Sequence, residues 1–198
     1  MNYDSFIRHT KLRIIRGLFN QISFGNTNLD IVYRVCLLEP DESNEMKVVT
    51  YYNSERQRHR IASLNRGYKL EDGVAGWAWY YKTPFCIWNV EEYLEKLEEE
   101  GRLSESVFRD NFPDAKESPE GRTLLQINSI ICYPIVINSK HDELVKAIVS
   151  IDCDKPHILS NESAKKAKKM RIQLYPYLRL LAMIYGIEEF INMKRQIT

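Results

Sequence analysis

Four cysteines are the side chains with the greatest potential for chemistry, because a thiolate can attack an electrophile, bind a metal or form a disulfide. Cys36, Cys86, Cys132 and Cys153 each lie inside an apolar, strand-like run, and no two form a Cys-x-x-Cys pair. Reduced, buried thiols of a cytoplasmic protein have this distribution. The sequence therefore predicts that all four cysteines are structural.

The other patterns typical of catalysis or metal binding are missing from the sequence. His9, His59, His141 and His157 are scattered through polar segments, so we predict no metal site. No Ser-His-Asp set, carboxylate pair or phosphate-binding loop is present. A net charge of +1 gives no reason to expect a nucleic-acid partner, and no apolar run is long enough to span a membrane. The sequence identifies no cofactor.

A glycine-containing segment with aromatic neighbours favours binding instead. Gly73, Val74 and Gly76 are predicted to begin a short helix, whose free N–H groups suit an anionic ligand group. The surrounding rings predict either core packing or a stacking wall for a planar ligand. These rings are Trp77, Trp79, Tyr80, Tyr81, Phe85 and Trp88.

Helical periodicity predicts the elements at both ends of the chain. Residues 5–23 carry an apolar stripe of Ile7, Ile14, Ile15, Leu18 and Ile22, and the basic residues Arg8, Lys11, Arg13 and Arg16 are predicted to point away from it. A last helix is predicted to begin after Ser160, which is a good N-cap, and to kink at Pro176. An acidic helix is expected over residues 91–102.

Period-two alternation predicts the strands between these helices. Residues 29–38 and 46–52 form one predicted hairpin, residues 129–137 and 144–153 another, and residues 85–88 a short strand. Pro134 must occupy an edge, an end or a bulge, because it cannot donate to a ladder. Residues 54–69 are expected to be a polar connection. The acidic excursion over residues 91–128 is expected to act as a lid, with Phe108 and Phe112 as its pocket contacts.

The ordered set of motifs resembles the GAF domain, a small-molecule-sensing module related to the PAS fold. The resemblance rests on the Gly73-x-x-Gly76 helix, the Thr83-Pro84 turn, Pro134 within its strand, and a later strand that ends near Asp152. It implies an α+β fold whose central antiparallel sheet has five or six strands and flanking N- and C-terminal helices. We expect an N-terminal helix over residues 1–28, a GAF-like domain over 29–159 and a C-terminal helix over 160–198 that packs with the first.

Three branches of that family can be compared by residue. The branch that reduces free methionine sulfoxide has an essential cysteine between the two glycines, where this chain has Ala75, and Ser150 stands where that branch tends to carry an aspartate. The cyclic-nucleotide motif is matched only partly, by Asp154-Lys155 and Asn161-Glu162, so nucleotide binding stays open. The Cys-His pair of the bilin-binding branch is absent.

We therefore predict a non-enzymatic, cytoplasmic sensor that binds a small molecule and signals as a homodimer or through a protein partner. Ile14, Leu18, Leu178, Leu181 and Ile184 are the predicted dimer seam. The alternatives are a dimeric adaptor whose pocket is filled by its own side chains, and a divergent thiol reductase that uses Cys86. The predicted ligand-binding residues are Gly73, Val74, Gly76, Trp77, Phe85, Trp88, Phe108, Phe112, Tyr133, Ser150 and Asp152.

Overall fold

A computed structural model describes residues 2–25, 31–53, 67–70, 73–100, 127–138, 142–156 and 164–197. The helices in these ranges are α1 (Tyr3–Gly25), α2 (Gly73–Tyr81), α3 (Val90–Glu99) and α4 (Ala164–Ile197). The strands are β1 (Tyr33–Pro40), β2 (Met46–Asn53), β3 (Gly67–Tyr68), β4 (Phe85–Ile87), β5 (Ser129–Asn138) and β6 (Glu143–Cys153). The predicted cap Ser160, most of the predicted connection after β2 and most of the predicted lid, with Phe108 and Phe112, lie outside the described residues.

All six strands form one antiparallel sheet in the order β3-β2-β1-β6-β5-β4. The two predicted hairpins, β1–β2 and β5–β6, join through β1 and β6 at the centre. This arrangement confirms the predicted α+β class with a central antiparallel sheet and flanking terminal helices. The predicted polar connection ends in a strand that was not expected, because Gly67–Tyr68 pairs with the start of β2.

Pro134 occupies a position that tolerates the loss of its N–H. It pairs with Ile148 of β6 on one side, whereas β4 pairs with β5 only from Ile130 to Cys132. Among the described strands, Pro134 therefore lies past the end of β4, on an edge of the sheet where no ladder hydrogen bond is lost. A bulge follows directly, between Ile135 and Val136.

One face of the sheet is covered by the terminal helices, and we call it the helix-pair face. Helices α1 and α4 run antiparallel, because Asp4 meets Arg195 at 3.3 Å while Gly17 lies against Tyr177 farther along. The predicted alternation of β1 is confirmed, since Tyr33, Val35 and Leu37 are all buried here. Helix α4 continues through Pro176. The other buried members of this cluster are Ile15, Leu18, Ile22, Ile131, Ile135, Ile137, Ala147, Val149, Ile151, Cys153, Leu174, Leu181 and Tyr185.

The opposite face is covered by α2, and we call it the α2 face. Gly73 begins α2 with a φ of 61°, a left-handed conformation that glycine adopts without strain. Small residues follow, and Ala75, Gly76 and Ala78 are buried with it, which allows the helix to approach the strands closely. Its strand partners include Cys36, Leu38, Met46, Ile87, Cys132 and Ile148.

Burial changes the predicted roles of three residues. Lys11 was expected to point into solvent, but only 8% of it is exposed, because Glu39 and Glu188 accept hydrogen bonds from its ammonium group. Leu18 and Leu181 were predicted to form a dimer seam, yet both are fully buried between the helices and the sheet. The predicted seam is therefore wrong at these two positions, since core side chains cannot contact a second chain.

In the described parts of the chain, no helix combines the length and apolar character needed to cross a bilayer.

Two helical glycines give a matched test of the packing between α1 and α4. A Cβ at Gly17 would lie 2.8 Å from Cε1 of Tyr177, whereas a Cβ at Gly186 would have no neighbour within 4 Å. We expect Gly186→Ala to raise the free energy of unfolding by about 0.5–1 kcal/mol through helix propensity alone. Gly17→Ala should lower it by about 1 kcal/mol through overpacking. Urea unfolding measures both, and a gain for Gly17→Ala equal to that for Gly186→Ala would contradict the close contact.

Candidate ligand-binding face

The strand register brings five polar or thiol side chains together on the α2 face. Arg34 of β1 is paired with Asp152 of β6. Two residues farther along β1, Cys36 is paired with Ser150. Cys132 of β5 pairs with Ser150 from the other side. Alternation places all five on one face, since the residues between them on each strand belong to the helix-pair face.

Asp152 is the centre of this cluster and is only 1% exposed. Arg34 Nε donates to Asp152 Oδ2 at 2.5 Å, and Arg34 Nη2 contacts the same oxygen. Ser150 Oγ donates to the other carboxylate oxygen, Oδ1, at 2.8 Å. Both oxygens are thus satisfied, which a buried carboxylate requires. Removing one partner of such a pair typically costs about 3–5 kcal/mol, because it leaves an uncompensated charge.

The two thiols of the cluster are poor nucleophiles. Burial raises the pKa of Cys36 to about 12, with Asp152 adding to the shift and Arg34 opposing it. Burial also raises the pKa of Cys132, against a smaller opposing effect of the Ser150 hydroxyl. Both cysteines pair with Ser150 from opposite sides, so their Cα atoms are two strand spacings, or about 10 Å, apart. A disulfide needs less than about 7 Å, so this pair remains as free thiols.

The aromatic residues around α2 stack on one another. The Trp77 ring lies 5.6 Å from Tyr81 and 5.8 Å from Phe85, both in stacked geometry, while Tyr80 meets Tyr81 edge-on. Trp79 and Phe85 pack against the buried cluster of the α2 face. These contacts match the core-packing alternative for Trp79 and Phe85, while Tyr80 and Tyr81 remain about half exposed.

The predicted site residues fall into four groups. Six lie on the α2 face or on its covering helix, Trp77 stacks at its border, and Phe108 and Phe112 belong to the part of the chain that the structure leaves undescribed. Trp88 and Tyr133 instead pack against the cluster of the helix-pair face. They cannot share a wall with Ser150, so their grouping with it is corrected. The six are Gly73, Val74, Gly76, Phe85, Ser150 and Asp152.

Sequence reasoning missed Arg34 as the partner of Asp152. A signal was available, because Arg34 interrupts an apolar strand at a position that alternates with Tyr33 and Val35. The other residues on its face of the strand, Cys36 and Leu38, are apolar. A strand that is apolar on both faces is typical of a sheet buried on both sides, where a charge needs a partner. Among the described residues, no group of three or more metal-ligating side chains is close enough to hold an ion.

No protein-family model matches the sequence, and no curated protein matches it. Similarity appears at the level of structure. A GAF domain/HD domain protein from Geobacter sulfurreducens superposes with a TM-score of 0.53 at 7% identity, over 91% of this chain and 97% of that one. The GAF domain region of a putative membrane protein from Geobacter sulfurreducens PCA superposes with a TM-score of 0.50 at 16% identity, over 91% of this chain and 98% of that one.

A type II free methionine-R-sulfoxide reductase from Thermoplasma acidophilum gives a lower TM-score of 0.46 at 12% identity, over 87% of this chain and 94% of that one. That score is too low to support an argument about this chain. Identities this low establish the fold and nothing further. The fold of this chain is GAF-like, which confirms the resemblance predicted from the sequence.

The raised thiol pKa values predict the order of cysteine alkylation. At pH 8 a Cys36 thiol with a pKa of about 12 is ionised in about one molecule in ten thousand, and burial raises the pKa of Cys153 to about 11. Half-buried Cys86 should therefore react first with iodoacetamide in the native protein. Peptide mass mapping identifies the alkylated cysteines. In urea, which unfolds the protein, all four cysteines should react. Labelling of native Cys36 as fast as Cys86 would contradict the assignment of inert thiols.

Proposed function

We propose that this chain is a small-molecule sensor domain in which a ligand binds over the α2 face and the signal passes through association of α4. The observation that carries the proposal is the buried set of Arg34, Asp152 and Ser150. It offers a cation, a carboxylate and a hydroxyl at neighbouring positions on an otherwise apolar face. Ligand sites are typically apolar with a few convergent polar groups.

Stability alone is a weak explanation for this set. Replacing a buried ion pair by well-packed apolar residues is often neutral or stabilising, because desolvation offsets the attraction between the charges. Orientation of a polar ligand would give this pair a role beyond stability. Trp77 and Phe85 are the proposed ring contacts, Gly73, Val74 and Gly76 the proposed backbone contacts, and Phe108 and Phe112 remain proposed contacts from the lid.

Binding is favoured over thiol chemistry. A nucleophilic cysteine needs a lowered pKa, and burial shifts both thiols of this face the other way. The two positions between the glycines of α2 are Val74 and Ala75, and neither side chain is a nucleophile. The reductase alternative therefore depends on Cys86, whose side chain packs toward the helix-pair face.

Ligand binding is tested by a pair of serine variants. Wild-type protein equilibrated with a desalted small-molecule extract of cells should carry a bound molecule in native mass spectrometry. At ligand concentrations well below saturation, Ser150→Ala should reduce the bound fraction about tenfold, since a buried hydrogen bond to a ligand contributes roughly 1–1.5 kcal/mol. Ser43→Ala, in the exposed turn after β1, should leave the bound fraction unchanged.

Two outcomes would count against the sensor. Wild-type protein that never retains a molecule would favour the adaptor with a self-filled pocket. Turnover of a sulfoxide that is lost in Cys86→Ala would replace the sensor with the thiol reductase.

Association is proposed to use the exposed apolar side of α4, which we call the outer stripe. Leu180, Met183, Ile187 and Phe190 follow one another at spacings of three and four residues, and Met183 is 62% exposed. This spacing is typical of helices that pack on another helix. A second copy of the chain is the natural occupant, because a two-fold pair of equal stripes is self-complementary. The stripe consists of Ile172, Tyr175, Leu180, Met183, Ile187 and Phe190.

The outer stripe predicts a dimer that one charge disrupts. Sedimentation at micromolar concentration should give about twice the chain mass for the wild-type protein. Met183→Glu should give a single chain mass, because a carboxylate would be buried at the contact. Leu70→Glu is the matched control, since Leu70 is similarly exposed but lies outside the helices and strands. A wild-type monomer, or a dimer that Met183→Glu leaves intact, would contradict association through this stripe.

A further inference from the structure

Lys11 is the point at which α1, β1 and α4 are joined by charge. Its Nζ lies 3.0 Å from Glu39 Oε1 near the end of β1 and 2.7 Å from Glu188 Oε2 on α4. The ammonium group also lies 3.9 Å from the ring centroid of Tyr185. We call Lys11, Glu39, Tyr185 and Glu188 the Lys11 junction.

Tyr185 completes the junction as a hydrogen-bond donor. Its hydroxyl donates to Glu39 Oε1, the same oxygen that accepts from Lys11. Burial, followed by the charge of Glu39, raises the pKa of Tyr185, so the hydroxyl keeps its proton. One carboxylate at the end of β1 thus holds one residue of α1 and one of α4 together.

Glu189, which follows Glu188 on α4, forms a second ion pair that holds this helix, here to the sheet. Glu189 Oε2 lies 2.7 Å from Lys146 Nζ of β6. Lys146 is the extra residue of the β6 bulge, because Ile135 pairs with Ala147 and Val136 with Val145. Bulges redirect side chains, and this one allows a strand residue to reach α4. Two consecutive glutamates therefore hold α4 from two directions.

These contacts determine which side of α4 faces outward. With Glu188 attached to α1 and Glu189 to β6, Tyr185 and Leu181 are buried, and Met183 and Ile187 are exposed. Neighbouring residues on a helix are about 100° apart, so a rotation of α4 by that angle would exchange buried and exposed positions such as Leu181 and Leu180. Apolar packing alone distinguishes weakly between these two rotations of α4, because Leu180 and Leu181 are identical side chains on different sides of the helix.

We propose that the Lys11 junction is a positioning clamp, which fixes the rotation and register of α4 and so determines that the outer stripe is presented. The inference rests on the proposed association through α4. A clamp of this kind selects one arrangement without adding much stability, in line with the use of buried polar groups for specificity. Lys11, Glu39, Tyr185 and Glu188 are its positioning residues.

The experiment separates stability from association. Lys11→Met/Glu39→Gln/Glu188→Gln removes every charge of the clamp and leaves no unpaired ion, so its urea midpoint should stay within about 10% of wild type. Its dimer dissociation constant should rise at least tenfold, and amide exchange over residues 179–193 should accelerate at least tenfold while the β1 and β6 amides stay protected. Lys96→Met, in an exposed pair with Glu100, is the matched control and should change none of these.

The opposite results would overturn the clamp. A triple variant that dimerises with the wild-type constant and keeps wild-type exchange in α4 would exclude it. A wild-type protein that stays monomeric would refute the association through α4. The clamp would then be tested by amide exchange in α4 alone, and exchange in the triple variant as slow as in wild type would exclude it. Where the triple variant does not fold, Glu188→Gln replaces it, and an unchanged dimer constant and unchanged α4 exchange in that variant would also exclude the clamp.

Discussion

A sheet buried on both faces imposes one requirement on this protein, which is that every polar side chain of its central strands needs a partner inside the fold. On the α2 face Asp152 is satisfied by Arg34 and Ser150. On the helix-pair face Glu39 is satisfied by Lys11 and Tyr185. The two polar clusters lie on opposite faces of one strand, β1, which carries both Arg34 and Glu39. Only four residues lie between these positions in the sequence.

This arrangement connects the two parts of the proposed function. A ligand that competes for Arg34 or Asp152 acts on β1, and the end of β1 is attached to α4 through Glu39, Lys11 and Glu188. Between the two clusters β1 passes an irregularity, where Leu37 pairs with Thr50 and Leu38 with Val48. Local irregularity of this kind allows a strand to change its twist without separating from its neighbours. A binding event on one face therefore has a covalent and electrostatic route to the proposed dimer helix.

Much of the fold was predictable, because strand alternation and helix periodicity are local properties of the sequence. Gly73, Pro134 and the two hairpins were placed correctly for that reason. The pairing of Arg34 with Asp152 depends on β1 and β6 being neighbours, a contact across more than a hundred residues. The burial of Lys11 likewise depends on acceptors from β1 and α4. Trp88 and Tyr133 were assigned to the wrong wall, because an aromatic cluster in sequence does not reveal which face of a strand each ring occupies.

The central claim is that a small molecule binds beside the Arg34–Asp152 pair, and the Arg34 side-chain Nε–H resonance reports on it most directly. In ligand-free protein this proton should exchange slowly with water, since Nε donates to Asp152 at 2.5 Å. Addition of a bound molecule recovered from cell extract should shift the resonance, and it should shift the amides of residues 148–152 as well. A ligand that binds the protein while the Arg34 resonance and those amides stay unchanged would contradict the account.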